Sequence, residues 1–368
     1  MMNRRDILLG GTACTAAALA LPRLSFAAED AVFAPTPGAW REFEVTTRID
    51  VPAPGGKVQA WIPLPSVQED EWIKAGKNGW ETNAASAEVV SDPKYGAQML
   101  HVVFKENETA PVVEVRSTFS LRDRAADLSA GGSAPALDDA TRALNLEATE
   151  LMPLDGIVKE TSDRIVAGKA SDREKAEAIY QWVVDNTFRN AKTAGCGTGD
   201  VASMLKSGNL GGKCADLNAL YVALTRAAGV PARDVYGIRV APSKFGYKSL
   251  GAGSATITKA QHCRAEVWLD GHGWVAVDPA DVRKVILEEP PGDNAPDAPK
   301  VTAARAKLFG AWEGNWLGYN TAHDVVLPGS THKVAFLMYP QAEVAGALLD
   351  CLDPDNFRYA IRAAELTA

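Results

Sequence analysis

The chain has 368 residues, 46% of them hydrophobic, with 38 basic and 46 acidic side chains. Such a length and composition suit two modest globular domains with cores of their own. A net charge of −8 excludes a nucleic-acid partner held through a basic face, and beyond the N-terminal region no run of 18 uninterrupted apolar residues exists to span a membrane.

Residues 1–27 read as a twin-arginine export signal. Asn3-Arg4-Arg5-Asp6-Ile7-Leu8-Leu9 leads into an alanine-rich apolar stretch to Leu21, and Ser25-Phe26-Ala27 suits cleavage after Ala27. An exported, periplasmic protein is expected. Loss of the signal leaves 35 basic against 45 acidic residues, a net charge of −10. An oxidising compartment favours disulfides. Of the cysteines left, Cys196, Cys263 and Cys351 allow at most one bridge if Cys214 stays free.

From Trp40 to Leu121 the hydrophobic period is two. Phe43, Val45, Thr47, Ile49 and Val51 alternate with polar residues, as do Val113, Val115, Ser117, Phe119 and Leu121. Pro52-Ala53-Pro54-Gly55-Gly56 and Pro63-Leu64-Pro65 supply turns between short antiparallel strands. Residues 28–130 are therefore expected to form a β-sandwich-like domain with Trp61 and Ile62 near its core. Ala130-Gly131-Gly132-Ser133-Ala134-Pro135 reads as a linker into a core over residues 131–290, with 291–368 as a C-terminal extension packing on it. The expected fold class is α+β.

Within the core, Ser171-Asp172-Arg173-Glu174 is a capping box that opens a helix directing Ala178, Ile179, Trp182 and Val183 inward. Gly195-Cys196-Gly197-Thr198-Gly199-Asp200 lacks the Lys-Ser/Thr ending of a phosphate loop and reads as a tight surface loop. Gly211-Gly212-Lys213-Cys214 then opens a helix bearing Leu217, Leu220, Tyr221, Leu224 and Ala228, closed by Gly229 and Pro231. A thiol at such a start is placed for chemistry, because the free N–H groups and partial positive charge favour the thiolate.

Downstream, His262 and Asp278 are symmetric about Asp270, so an odd loop flanked by Gly271 and Gly273 would set them directly opposite, with Cα atoms about 5 Å apart. Strand alternation gives His262, Arg264, Glu266 and Trp268 a polar, cleft-facing side, and gives Cys263, Ala265, Val267 and Leu269 the core side. Cys214, His262 and Asp278 thus supply nucleophile, base and orienting acid, the logic of thiol acyl transfer. A zinc site from Cys214, Cys263, His262 and His272 is the rival. It fails because adjacent strand residues point to opposite faces and no Cys-x-x-Cys pair is present, so no metal is expected.

These residues resemble the bacterial branch of the transglutaminase-like superfamily, whose core is related to papain-like cysteine proteases. The resemblance rests on Gly212-Lys213-Cys214-Ala215-Asp216-Leu217, on Leu224 to Arg233, on His262 to Trp268 and on Gly273-Trp274-Val275-Ala276-Val277-Asp278-Pro279. It implies a helix carrying the cysteine packed on an antiparallel sheet, with Cys214, His262 and Asp278 in the three catalytic roles. It also implies amide hydrolysis or transamidation of a protein or peptide substrate through a thioester, with no cofactor. Where such proteins commonly have His-Ala-Trp, this chain has His262-Cys263-Arg264, which is expected to make the substrate-facing surface more basic. The backbone N–H of Cys214 is the first oxyanion donor, worth about 3 kcal/mol, and Asn209, Gln261 and Trp182 are candidates for the second. The alternative is a catalytically silent binding or scaffold protein of the cell envelope. Trp312, Trp316, Tyr319 and the run Val334 to Tyr339 are expected to pack, and Ser243 to Lys259 to be an exposed basic connection. Oligomeric state leaves no signature in the sequence.

Overall fold

The computed structural model describes residues 32–51, 55–129 and 131–366. The export signal expected over residues 1–27 lies outside them. The strand period after Trp40 becomes a two-sheet layer. In its first sheet Tyr359–Leu366, Arg41–Asp50, Val112–Leu121 and Ile73–Thr82 lie side by side, all antiparallel. Phe43, Val45, Thr47 and Ile49 are buried as the alternation requires, and the register sets Phe43 against Phe119 with their rings stacked 5.8 Å apart. The second sheet runs Ala347–Leu348, Gln341–Val344, Val58–Pro63, Gln98–Val103 and Ser86–Ser91.

Ala60, Ile62, Leu100 and Val102 meet Phe43, Val45 and Ile49 in one apolar core between the sheets, where each large side chain contributes about 2 kcal/mol. Trp61 points the other way. It lies beneath a hairpin of His323–Val326 and Lys333–Phe336, packs with Val325, Leu327 and Leu337, and donates from Nε1 to the Pro328 carbonyl at 3.0 Å. Trp61 is therefore buried in a second core outside the sandwich, and this double cover leaves every residue of Val58–Pro63 buried. The segment 291–368 supplies that hairpin, an edge to each sheet of the N-terminal layer, and a strand of the central sheet.

The central sheet is antiparallel, in the order Gly273–Val277, Gln261–Leu269, Ala232–Arg239 and Trp316–Asn320. Helices cover one face. Ala265, Val267 and Leu269 pack with Leu220 and Leu224 of the helix Cys214–Ala227 and with Ile179 and Val183 of Asp172–Asn186. The expected capping box is present: Ser171 Oγ accepts from the Glu174 amide at 3.2 Å, and Glu174 accepts from the Ser171 amide at 3.0 Å. That helix buries Ala176, Ile179, Tyr180, Val183 and Val184, while Ala178 and Trp182 are only partly covered.

On the opposite face, the expectation of an open polar cleft is corrected. Arg264, Glu266 and Trp268 are buried there, Arg264 under the Trp312 and Trp316 rings, Trp268 against Trp274, and Glu266 beside Arg124 from the N-terminal layer. Trp72 leans on Trp312 and Trp316 with ring centroids 5.3 and 6.0 Å away, and Glu266 is held between Arg124 and Arg233. Two guanidiniums outweigh burial and keep the Glu266 carboxyl below its ordinary range. Among the described residues no helix is long and apolar enough to cross a membrane.

Gly237 marks the closest approach within the sheet. It pairs with His262 on one side and Gly318 on the other, and a Cβ there would stand 2.0 Å from the Leu317 carbonyl oxygen and 2.5 Å from the Trp316 ring. The bare backbone lets Trp316 lie across it and donate from Nε1 to the His262 carbonyl at 2.9 Å. Gly237→Ala is expected to cost about 3 kcal/mol through overpacking, read as a lower urea midpoint at unchanged slope. An unchanged midpoint would refute this account of the strand contact.

Candidate active site

Cys214 is the first residue of its helix, after Lys213 in extended conformation. The helix start is fastened by Asp216, which accepts from the Lys213, Thr198 and Gly199 amides at 3.0, 2.9 and 3.0 Å. The loop at 195–200 is thereby pinned to the helix start, with Gly195 and Thr198 exposed as a surface loop requires but Cys196 and Gly199 turned inward. Gly197, at φ +92°, has no room for a Cβ, which would fall 1.8 Å from the Asp216 carboxylate. As a result Cys196 is buried, and the sulfurs of Cys196, Cys214 and Cys263 all lie within 4.8 Å of one another. The four described cysteines are free thiols.

The hairpin register is two positions from the expected one. Leu269 pairs with Gly273 and Ala265 with Val277, so the turn centres on Gly271 and Asp278 falls beyond the last pair, level with Arg264. A shift of two keeps the parity of faces. His262 and Asp278 are therefore diagonal neighbours on one side, still within reach of long side chains. His262 Nε2 donates to Asp278 Oδ2 at 2.7 Å, while Asp278 Oδ1 caps the helix Pro279–Glu288 by accepting from the Asp281 amide at 3.0 Å. Asn218 ties the cysteine helix to this strand, donating to the Cys263 carbonyl at 2.7 Å.

Two further charged groups complete the cluster. Asp281 Oδ1 stands 3.4 Å from His262 Nε2 and 2.5 Å from Arg239 Nη2, and Arg264 Nε is 3.7 Å from Asp278 Oδ2. Burial and Arg239 push the His262 imidazolium down, but Asp281 and Asp278 outweigh them and raise it to about 9. Burial opposes ionisation of Cys214, yet the thiols of Cys196 and Cys263 and the imidazole of His262 hold it well below the ordinary thiol value. With Nε2 engaged by carboxylates, Nδ1 is the ring nitrogen left for the sulfur. Arg264 is no substrate-facing base, as its burial and its place over the Trp312 and Trp316 rings show; burial lowers it to about 10.

Cys214 and His262 open onto one cavity of about 530 Å³, which Gln261 and Tyr339 also line. Of the three side chains considered as second oxyanion donor, Gln261 reaches this cavity. Trp182 lines a different depression, and Asn209 is exposed at the turn before Gly211. Gly251, Gly253, Thr256 and Lys259 form a wall, so the segment Ser243 to Lys259 is more than an exposed connection. The four-residue zinc set is not assembled, since His272 lines a separate hollow beside Trp274. Among the described residues two tighter donor groups exist, the three thiols and the set His262, Asp278 and Asp281. The sequence reading missed Asp281, Arg239, Cys196 and Tyr339. An acid three residues after the capping Asp278 marks Asp281; Arg239 carries no such local mark.

Residues 159–279 match the model of the transglutaminase-like superfamily. An uncharacterized protein of Haemophilus influenzae is 37% identical over 341 residues, covering 86% of this chain and 89% of that one. The crystal structure of a candidate cysteine protease from Cytophaga hutchinsonii aligns over 91% of this chain and 94% of its own at a TM-score of 0.54 and 13% identity. The periplasmic domain of TgpA from Pseudomonas aeruginosa aligns over 68% and 90% at a TM-score of 0.33 and 17% identity.

Alkylation of Cys214 by iodoacetamide, followed by mass spectrometry, is expected at pH 6 at close to its pH 8 rate. In His262→Ala the thiol loses the imidazole's share of that support and should move up, lowering the pH 6 rate at least about tenfold against the pH 8 rate. Equal rates in the two proteins would remove the imidazole from the account of the thiolate.

Proposed function

The chain belongs to the transglutaminase-like superfamily, and on that premise we propose that it is a thiol acyl-transfer enzyme acting through Cys214, His262 and Asp278. The observation that carries this reading is the 2.7 Å contact between His262 Nε2 and Asp278 Oδ2, with His262 and Cys214 on one cavity wall. The substrate supplies a carboxamide or peptide carbonyl. Cys214 Sγ attacks the carbon, the carbonyl electrons move to oxygen, and the collapsing adduct expels an amine that takes its proton from His262. A thioester remains. Water, deprotonated by the now neutral His262, or an incoming amine then releases the acyl group and restores the thiol. The Cys214 amide at the first helical turn has no intrahelical acceptor and is the proposed first oxyanion donor; the second N–H of the Gln261 carboxamide is the other.

A silent scaffold on the same fold has no need of a suppressed thiol value, and the depressed Cys214 disfavours it. Incubation with a periplasmic extract and a dansylated amine, against Cys214→Ala, is the direct test. Fluorescent adducts confined to the unaltered protein report transamidation, and newly shortened peptides report hydrolysis. Absence of both products would sink the proposal.

The proposal extends to location. Arg4-Arg5 and the apolar stretch after them support export to the periplasm. Replacing both arginines with lysine is expected to hold the protein in the cytoplasmic fraction and leave the signal uncleaved. A periplasmic pool equal to that of the unaltered chain would argue against the twin-arginine route.

A further inference from the structure

The cavity beside Cys214 has a charge opposite to that of the chain. The protein carries a net −8, yet this cavity is lined by Arg189, Lys213, Arg239, Lys259 and Lys284, and among the described residues its wall contains no aspartate or glutamate. The acids that touch these cations stand outside the wall. Asp281 takes Arg239, Glu288 serves both Arg189 and Lys284, and Asp355 lies 3.6 Å from Lys259 in an exposed pair. Lys213, adjacent to Cys214, forms no ion pair among the described residues. Five cations thus meet three carboxylates, one of them shared and one in an exposed pair of little strength. Crowding is visible at Lys284: burial, then Arg239 and Arg189, push it down to about 8 against the pull of Asp281 and Glu288. A concave, partly desolvated wall of one sign focuses its field and concentrates ligands of the other.

We infer that the acyl substrate is an acidic peptide, whose carboxylates beside the scissile amide are held by Lys213 and Lys284, which line the same cavity as Cys214 and His262. The inference rests on the reading above in taking this cavity as the substrate site. Uncharged or basic peptides would meet the same nucleophile without that attraction. Arg239 takes no direct part, being committed to Asp281.

The test uses Cys214→Ala, so neither turnover nor thiolate formation affects the outcome. Tetraglutamate and tetraglutamine, each blocked at both ends and carrying the same uncharged fluorophore, are titrated with the full mature chain and followed by anisotropy. Tetraglutamate should bind at least about tenfold tighter at low salt, with the preference shrinking as ionic strength rises. The Lys213→Gln, Lys284→Gln double variant should lose most of it while keeping its urea midpoint. Equal affinity for the two peptides, or binding of neither, overturns the inference. So does a preference that the double variant retains in full. Acyl transfer itself fails by a separate reading, a Cys214 whose alkylation ignores His262.

Discussion

Charge in a dry place must cancel, and this constraint governs the site. Arg239, Arg264, Asp278, Asp281 and His262 are each 3% exposed or less, and an unpaired ion at such depth costs several kcal/mol. Two guanidiniums balance two carboxylates. A protonated imidazole is then one positive charge too many unless a thiolate sits beside it, and a thiolate is one negative charge too many without the imidazolium. Cys214 and His262 are coupled by that arithmetic as much as by proximity. Asp281 and Asp278 hold the imidazole charged, and the charged imidazole joins the Cys196 and Cys263 thiols in favouring the thiolate.

The fold is arranged to keep this cluster dry and still. The cysteine helix is buried from Cys214 to Arg226, so its first turn cannot tilt without disturbing the core against the central sheet. The histidine strand is held by neighbours on both edges and by the Trp316 indole on its carbonyl. Asp278 is fixed because it also caps a helix. Behind them Arg264 lies over two tryptophans, which partly replace the water it has lost. Removing the Glu266 carboxylate would strand Arg124 and leave Arg233 with Glu69 alone, a loss of about 3–5 kcal/mol. The N-terminal layer therefore closes the back of the site.

Much of this arrangement is legible in the residues. Glycine pairs, a capping acid and alternation are local signals, so the helix at Cys214, the capping box at Ser171 and the shared face of His262 and Asp278 can be read directly. The register was open to error by two because Gly271 and Gly273 permit more than one loop centre, and parity survives such a slip. What alternation cannot tell is what covers a polar face. Arg264 and Glu266 look solvent-seeking in the strand, and only the Trp72, Trp312 and Trp316 contacts, far apart in sequence, make that face interior. The inward turn of Cys196 escaped for the same reason: its cause is a carboxylate at position 216 reaching back to two amides. The assignment of Trp61 to the sandwich core shows the limit of burial without direction.

The first strand of the molecule has its outer edge closed by the last. Arg41 and Glu365 meet across 324 residues of chain, within a pairing that runs from Glu42 opposite Leu366 to Ile49 opposite Tyr359. Until Tyr359–Leu366 is in place, Arg41–Asp50 has a bare row of amides and carbonyls on that side, an invitation to foreign strands. A chain interrupted before Tyr359 would leave that edge of the N-terminal layer unsealed, with its amides and carbonyls open to strands of other molecules.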